Sequence, residues 1–155
     1  MRIAIFLLLT AGFLFSCSKD NFNAVPQITF KSISPNFWRS DNLASDQGPV
    51  ITFRLTDAEG DIGLPTDVDT NSYIFVKNIT IAPFKIDSFR FPDLSSVARK
   101  NMDVDIDVMI RDLLASSNQP NRPYTDTLFF EIFVRDFARN KSNVITTEPL
   151  YYLSP

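Results

Sequence analysis

Seven segments in which β-branched, aromatic and other apolar residues alternate with polar ones, separated by turn residues, predict an all-β chain. Beyond residue 24 no stretch keeps a long helical period. Seven such segments within residues 25–155 predict one seven-stranded immunoglobulin-like β-sandwich domain. The third observation is what precedes them, an uncharged apolar run after Arg2 that ends on Cys17, the single cysteine of the chain.

Strand A is predicted over 26–34, B over 50–56, C over 73–81, a fourth strand over 84–91, E over 102–110, F over 127–135 and G over 144–152. Strand F has the plainest core signature. Leu128, Phe130, Ile132 and Val134 fall on one face, and Phe129, Glu131, Phe133 and Arg135 on the other. In strand E, Val104, Ile106 and Val108 alternate with Asp103, Asp105 and Asp107, which predicts an apolar inner face and a carboxylate outer face. Residues 112–117 are expected to form a helical turn in place of strand. In an up-and-down reading B and F run the same way, so the turns after them share one end of the domain.

Residues 1–16 have the layout of a secretory signal peptide and are too short to span a bilayer, which takes about 20 apolar residues. Leu14-Phe15-Ser16-Cys17 resembles a bacterial lipobox. That resemblance implies cleavage before Cys17, diacylglycerol on its sulfur, a fatty acid on its new amine, and residues 17–24 as the lipidated cysteine and tether. Several acyl chains anchor stably where a single chain binds marginally. The alternative is an ordinary secreted protein cut nearby, leaving a stray thiol. Ser18 after the cysteine implies the outer membrane, and Ser18-Lys19-Asp20 is similar to the short Lys-plus-acid signal of Bacteroidota-type surface lipoproteins. The periplasmic and cell-surface faces both stay open.

Removing the leader leaves 139 of 155 residues, enough for one domain with a core. Subtracting the +1 of Arg2 takes the formal net charge from −3 to −4, which argues against nucleic acid as a partner. Acylated Cys17 leaves no thiol for a disulfide, so the fold rests on apolar packing, with twelve of the fifteen phenylalanines after the leader. The chain contains no histidine, which removes Ser-His-Asp and Cys-His catalysis and the usual zinc and iron sites. An enzyme here would work with carboxylates, lysine or serine alone.

Three constellations carry candidate chemistry. Asp57, Glu59 and Asp61 recur every second residue in a turn punctuated by Gly60 and Gly63, and Asp136 is expected to face them, with Asn140 and Asn143 adding carbonyl oxygens. Hard oxygen ligands of this kind suit Ca2+. The other reading is a solvated turn in which Asp57 and Asp136 cap backbone amides and the glycines supply positive φ. At the opposite end Phe37, Trp38 and Arg39 are expected beside Arg122 and Tyr124, where aromatics with polar neighbours stack sugars or anchor a protein. Trp38 as a lid on the core and Tyr124 as a tyrosine corner are the structural alternatives. Asp103, Asp105 and Asp107 suggest either a paired-carboxylate glycoside hydrolase or a charged strand that discourages aggregation.

Residues 51–63, Ile-Thr-Phe-Arg-Leu-Thr-Asp-Ala-Glu-Gly-Asp-Ile-Gly, resemble the Asp-Gly-Asp-Ile-Gly turn after strand B in small Bacteroidota-type outer-membrane lipoproteins with an Ig-like domain. Residues 133–143 are similar to the strand F to G turn of bacterial Ig-like domains, usually Asp-x-Ala-Gly-Asn, with Arg139 where that pattern has glycine. The resemblance implies a binding or spacer module. Together these readings predict a non-catalytic, lipid-anchored binding or accessory module of the outer envelope, with Ca2+ as candidate cofactor. The alternatives are glycan or protein binding through the Trp38 end, and a carboxylate-only glycoside hydrolase.

Overall fold

The computed structural model describes residues 22–41, 47–63, 72–80, 82–114 and 121–155; the expected leader and Cys17 lie outside them. In chain order the strand segments are β1 (Gln27–Ser34), β2 (Phe37–Arg39), β3 (Val50–Asp57), β4 (Tyr73–Asn78) and β5 (Ile86–Phe89), then β6 (Met102–Met109), β7 (Tyr124–Leu128), β8 (Phe130–Arg135), β9 (Ile145–Thr146) and β10 (Leu150–Ser154). A 3-10 turn at Arg111–Leu113 buries Leu113, at the start of the expected helical turn. Among the described residues no helix is long and apolar enough to cross a membrane.

The segments form three sheets, β1-β3-β6, β2-β10-β7 and β5-β4-β8-β9, around one core, an all-β arrangement compatible with a β-sandwich. Among the described residues every strand pairing is antiparallel except that of β2 with β10. Ile28, Ile51, Phe53, Leu55 and Ile106 on one side and Ile74, Val76, Phe130, Ile132 and Val134 on the other are all nearly or fully excluded from solvent. Burying each such side chain contributes about 1.5–3 kcal/mol. A bulge in β1 between Phe30 and Ser32 shifts the register by one residue, which is why Ile28 and Ile33, five apart, both face inward.

Two expected strands are each divided. At the range expected for F, Leu128 closes the pairing with β10 and Phe130 opens the pairing with β4. Between them the Phe129 amide donates to Thr80 Oγ1 (2.8 Å) and its carbonyl accepts from the Ile79 amide (3.0 Å). The side-chain alternation survives the change of partner, and Leu128, Phe130, Ile132 and Val134 are fully buried. In the range expected for G, the Thr147 amide donates to the Phe130 carbonyl and Thr147 Oγ1 accepts from the Phe130 amide, and Pro149 has no N–H to continue the ladder. The segment β2 has no counterpart among the expected strands, because three residues are too few to show a period and its order comes from pairing with β10.

Candidate functional site

Strand β3 ends at Asp57, whose carboxylate Oδ2 accepts the Gly60 amide at 2.6 Å and closes the turn. Gly60 has φ +64°, and a Cβ there would lie 1.6 Å from the Arg99 carbonyl oxygen. No residue but glycine fits this crossing of two backbones. The turn is fastened on two further sides, by the Asn101 amide on the Ala58 carbonyl (3.0 Å) and the Phe137 amide on the Asp61 carbonyl (3.1 Å). After β8, Asp136 Oδ1 accepts the Asn140 amide at 2.7 Å and its Oδ2 accepts from Asn140 Nδ2 at 2.8 Å, while the Asp136 amide donates to the Asn140 carbonyl at 3.2 Å. Arg139 takes φ +67°, in the left-handed region that favours glycine.

The two turns thus meet, as the polarity of B and F requires, and bring Asp57, Asp61 and Asp136 together. Asp57 and Asp136 are fully buried. Burial pushes the Asp57 carboxyl up to about 6, against the Gly60 hydrogen bond that lowers it, with the charges of Asp61 and Asp136 adding to the rise. Asp61 is raised by burial and by the charge of Asp136, against backbone hydrogen bonding at Ala138 that lowers it. Asp57 Oδ1 and Asp61 Oδ1 are buried without a hydrogen-bond partner. Glu59 is exposed and is not drawn into the group.

Among the described residues no three His, Cys, Asp or Glu side chains form a group that could hold a metal ion. The expected five-residue calcium set of Asp57, Glu59, Asp61, Asp136 and Asn140 is therefore not assembled as such. Asp57 and Asp136 spend oxygens on turn amides, the capping role foreseen as the alternative. Asn143 is committed elsewhere, its Oδ1 accepting the Ile28 amide and its Nδ2 donating to the Ile28 carbonyl, both at 2.8 Å. It pins the start of β1 to the same end.

At the far end β10 lies between β2 and β7, with Tyr152 opposite Trp38 and Ser154 opposite Tyr124. Trp38 and Tyr124, expected in two loops that meet, stand instead on the two strands that flank β10. The indole of Trp38 belongs to the core at 8 % exposure, so it is a packed residue more than a presented one. Its neighbours on β2 point outward. Phe37 is 48 % exposed, and the Arg39 guanidinium grips Asp41 through Nε (3.1 Å) and Nη2 (2.8 Å). Arg122 is exposed and Tyr124 half-buried against the core. An open cleft of about 380 Å³ is lined by Pro35, Phe37, Trp38, Arg39 and Asp41.

The outer carboxylates of β6 are engaged one by one across the sheet. Arg54 forks onto Asp103, Lys31 reaches Asp105 at 2.7 Å, and Thr52 donates to Asp107 at 2.6 Å. The Arg54 hydrogen bonds hold Asp103 below the usual carboxylate range. This is the pattern of a paired, solvated face.

On the outer face of β4 and β8, Phe75 and Phe133 stack at 4.7 Å with Arg135 5.3 Å from one ring and Lys141 4.1 Å over the other. Sequence reasoning placed Phe133 and Arg135 on this face but missed the ladder. The signal lies in the register that sets Phe75 opposite Phe133, which no local pattern carries.

Comparison with protein-family models, curated proteins and solved structures returns no match.

Proposed function

We propose that this chain is a non-catalytic, lipid-anchored binding or accessory module of the bacterial outer envelope, held through Cys17 and folded as a seven-stranded Ig-like sandwich of the Bacteroidota-type lipoprotein kind. Strand order supports the fold reading. Taking β2 as the continuation of β1, and β7 with β8 and β9 with β10 as one strand each, leaves seven strands in two layers.

The observation that carries the functional reading is the polarity of the first strand. Gln27 pairs with Thr56, so the chain arrives at the acidic end, where the Ala58 amide donates to the Asn23 carbonyl (3.0 Å) and Asn143 clasps Ile28. A tether ahead of β1 leaves from this end, and the cleft beside Arg39 faces away from the membrane. Cys17→Ala tests the anchor. The wild type is expected in the membrane fraction with an acylated Cys17 as first residue by mass spectrometry, and the variant in the soluble fraction or stalled in processing. A mature N-terminus at another residue removes the anchor from this reading.

A second reading, favoured by the unpartnered Oδ1 atoms of Asp57 and Asp61, is that calcium stabilises the acidic end. Buried carboxylate oxygens without a donor call for a positive charge, which a proton or a divalent cation supplies. Its test is the calcium dependence of unfolding given in the Discussion.

A further inference from the structure

The geometry points to the cleft beside β2 as a binding site for a neutral glycan, with Phe37 as stacking platform and the Arg39–Asp41 pair as its polar wall. This rests on the reading of the chain as an envelope-anchored binding module and names the ligand class of its outward end. The volume, about 380 Å³, lies at the lower end of the range of ligand pockets and suits one or two sugar rings.

Two features of the lining select the ligand. The first is apolar area left in water. Phe37 is 48 % exposed, and the parallel register sets Tyr151, 44 % exposed, beside it on β10. Backbone bonds hold this pair in place, the Tyr151 amide donating to the Asn36 carbonyl (2.8 Å) and the Ser40 amide to the Leu153 carbonyl (2.9 Å). The platform is therefore built on paired strands, and the exposed edge of Trp38 lines the cleft beside it.

The second feature is the state of the charges. Arg39 and Asp41 neutralise each other through two hydrogen bonds, so among the described residues the lining offers an anion no free cation. The fork uses only part of the hydrogen-bonding capacity of two half-exposed side chains, so further guanidinium N–H groups and carboxylate lone pairs stand in water, donor beside acceptor. Adjacent sugar hydroxyls, each both donor and acceptor, match that pair, while the C–H face of the ring covers Phe37. An apolar peptide would cover the aromatic rings and leave the ion pair without partners, at a desolvation cost. An acidic ligand would have to pull Arg39 from Asp41.

Trp38 is the only tryptophan in the chain, so its emission reports on this cleft alone. The experiment titrates the processed full protein, in a detergent without a sugar headgroup if it is membrane-bound, with neutral gluco-, galacto- and manno-oligosaccharides and with an oligouronate. Expected is a saturable change in Trp38 emission, matched by calorimetry, with neutral oligosaccharides at about 1 mM or below. Phe37→Ala and Arg39→Ala, both exposed side chains, should each weaken binding roughly tenfold or more, while Glu59→Ala at the other end leaves it unchanged. Preference for the oligouronate, saturation that survives Phe37→Ala and Arg39→Ala, or no saturable change with any neutral sugar up to about 10 mM overturns the assignment. Failure of the anchor shows in fractionation instead and leaves this measurement standing.

Discussion

Asp57 and Asp41 are the same side chain in opposite circumstances, one at each end of the domain. Asp57 is fully buried, and burial raises its carboxyl to about 6 although an amide donates to it. Asp41 is half in water, and the hydrogen bond from Arg39 holds its carboxyl below the usual range. Desolvation wins at the first end and a charge partner at the second, because a fully dried carboxylate loses more hydration than one neutral amide returns. The acidic end therefore stores an unfavourable charge within a tightly crossed backbone. The far end displays a satisfied pair on an open surface.

The largest effect expected is at the backbone crossing. Gly60→Ala adds a methyl against the Arg99 carbonyl at positive φ and should cost about 3 kcal/mol or more in urea unfolding. A loss under about 1 kcal/mol would mean that the acidic turn yields easily and is not the rigid half of the pair.

The stored charge makes the next prediction. The folded carboxyl of Asp57, at about 6, lies above its unfolded value of about 3.9, so the folded state holds the proton more tightly. Its contribution to stability is complete below about pH 4 and is lost as pH rises through about 6, a change on the order of 3 kcal/mol. Asp57→Asn keeps an oxygen for the Gly60 amide and removes the charge. It should be more stable than the wild type by about 1–3 kcal/mol at pH 7.5 and gain nothing at pH 4, measured by urea titration at both values. Equal gains at the two values would show that the charge of Asp57 is not what separates the ends.

Calcium sharpens the same point with a smaller effect. If the cation replaces the proton, about 1 mM calcium should add roughly 0.4–1.4 kcal/mol and raise the melting temperature by about 1–6 °C at neutral pH. Asp61→Ala should abolish the rise, and a shift of equal size in that variant would place the cation elsewhere. The smallest effect belongs to the far end. Arg39→Ala removes one partner of an exposed pair and should leave the melting temperature unchanged within error, while weakening sugar binding. A clear loss of stability there would recast the pair as structural.

Much of the division between the ends was legible along the chain. Period-two alternation is local, so the inward set Leu128, Phe130, Ile132 and Val134 and the outward row Asp103, Asp105 and Asp107 could be read directly, and strand polarity put Asp57 near Asp136. Exposure resisted the same reading. Trp38 looks like a surface anchor beside Phe37 and Arg39, yet three residues of β2 pairing with β10 turn its ring inward and Phe37 outward.

By itself the sequence determined the all-β periodicity, the grouping of the acidic and aromatic turns at separate ends, and the lack of histidine chemistry. Only the tertiary structure decided that Glu59 stays in solvent while Asp57 loses it, that Asn143 serves Ile28, and that Phe75 stacks on Phe133. The reason is physical. Alternation depends on neighbours along the chain, whereas desolvation and ring contacts depend on what a distant strand brings alongside, and that is set by register across the sheets.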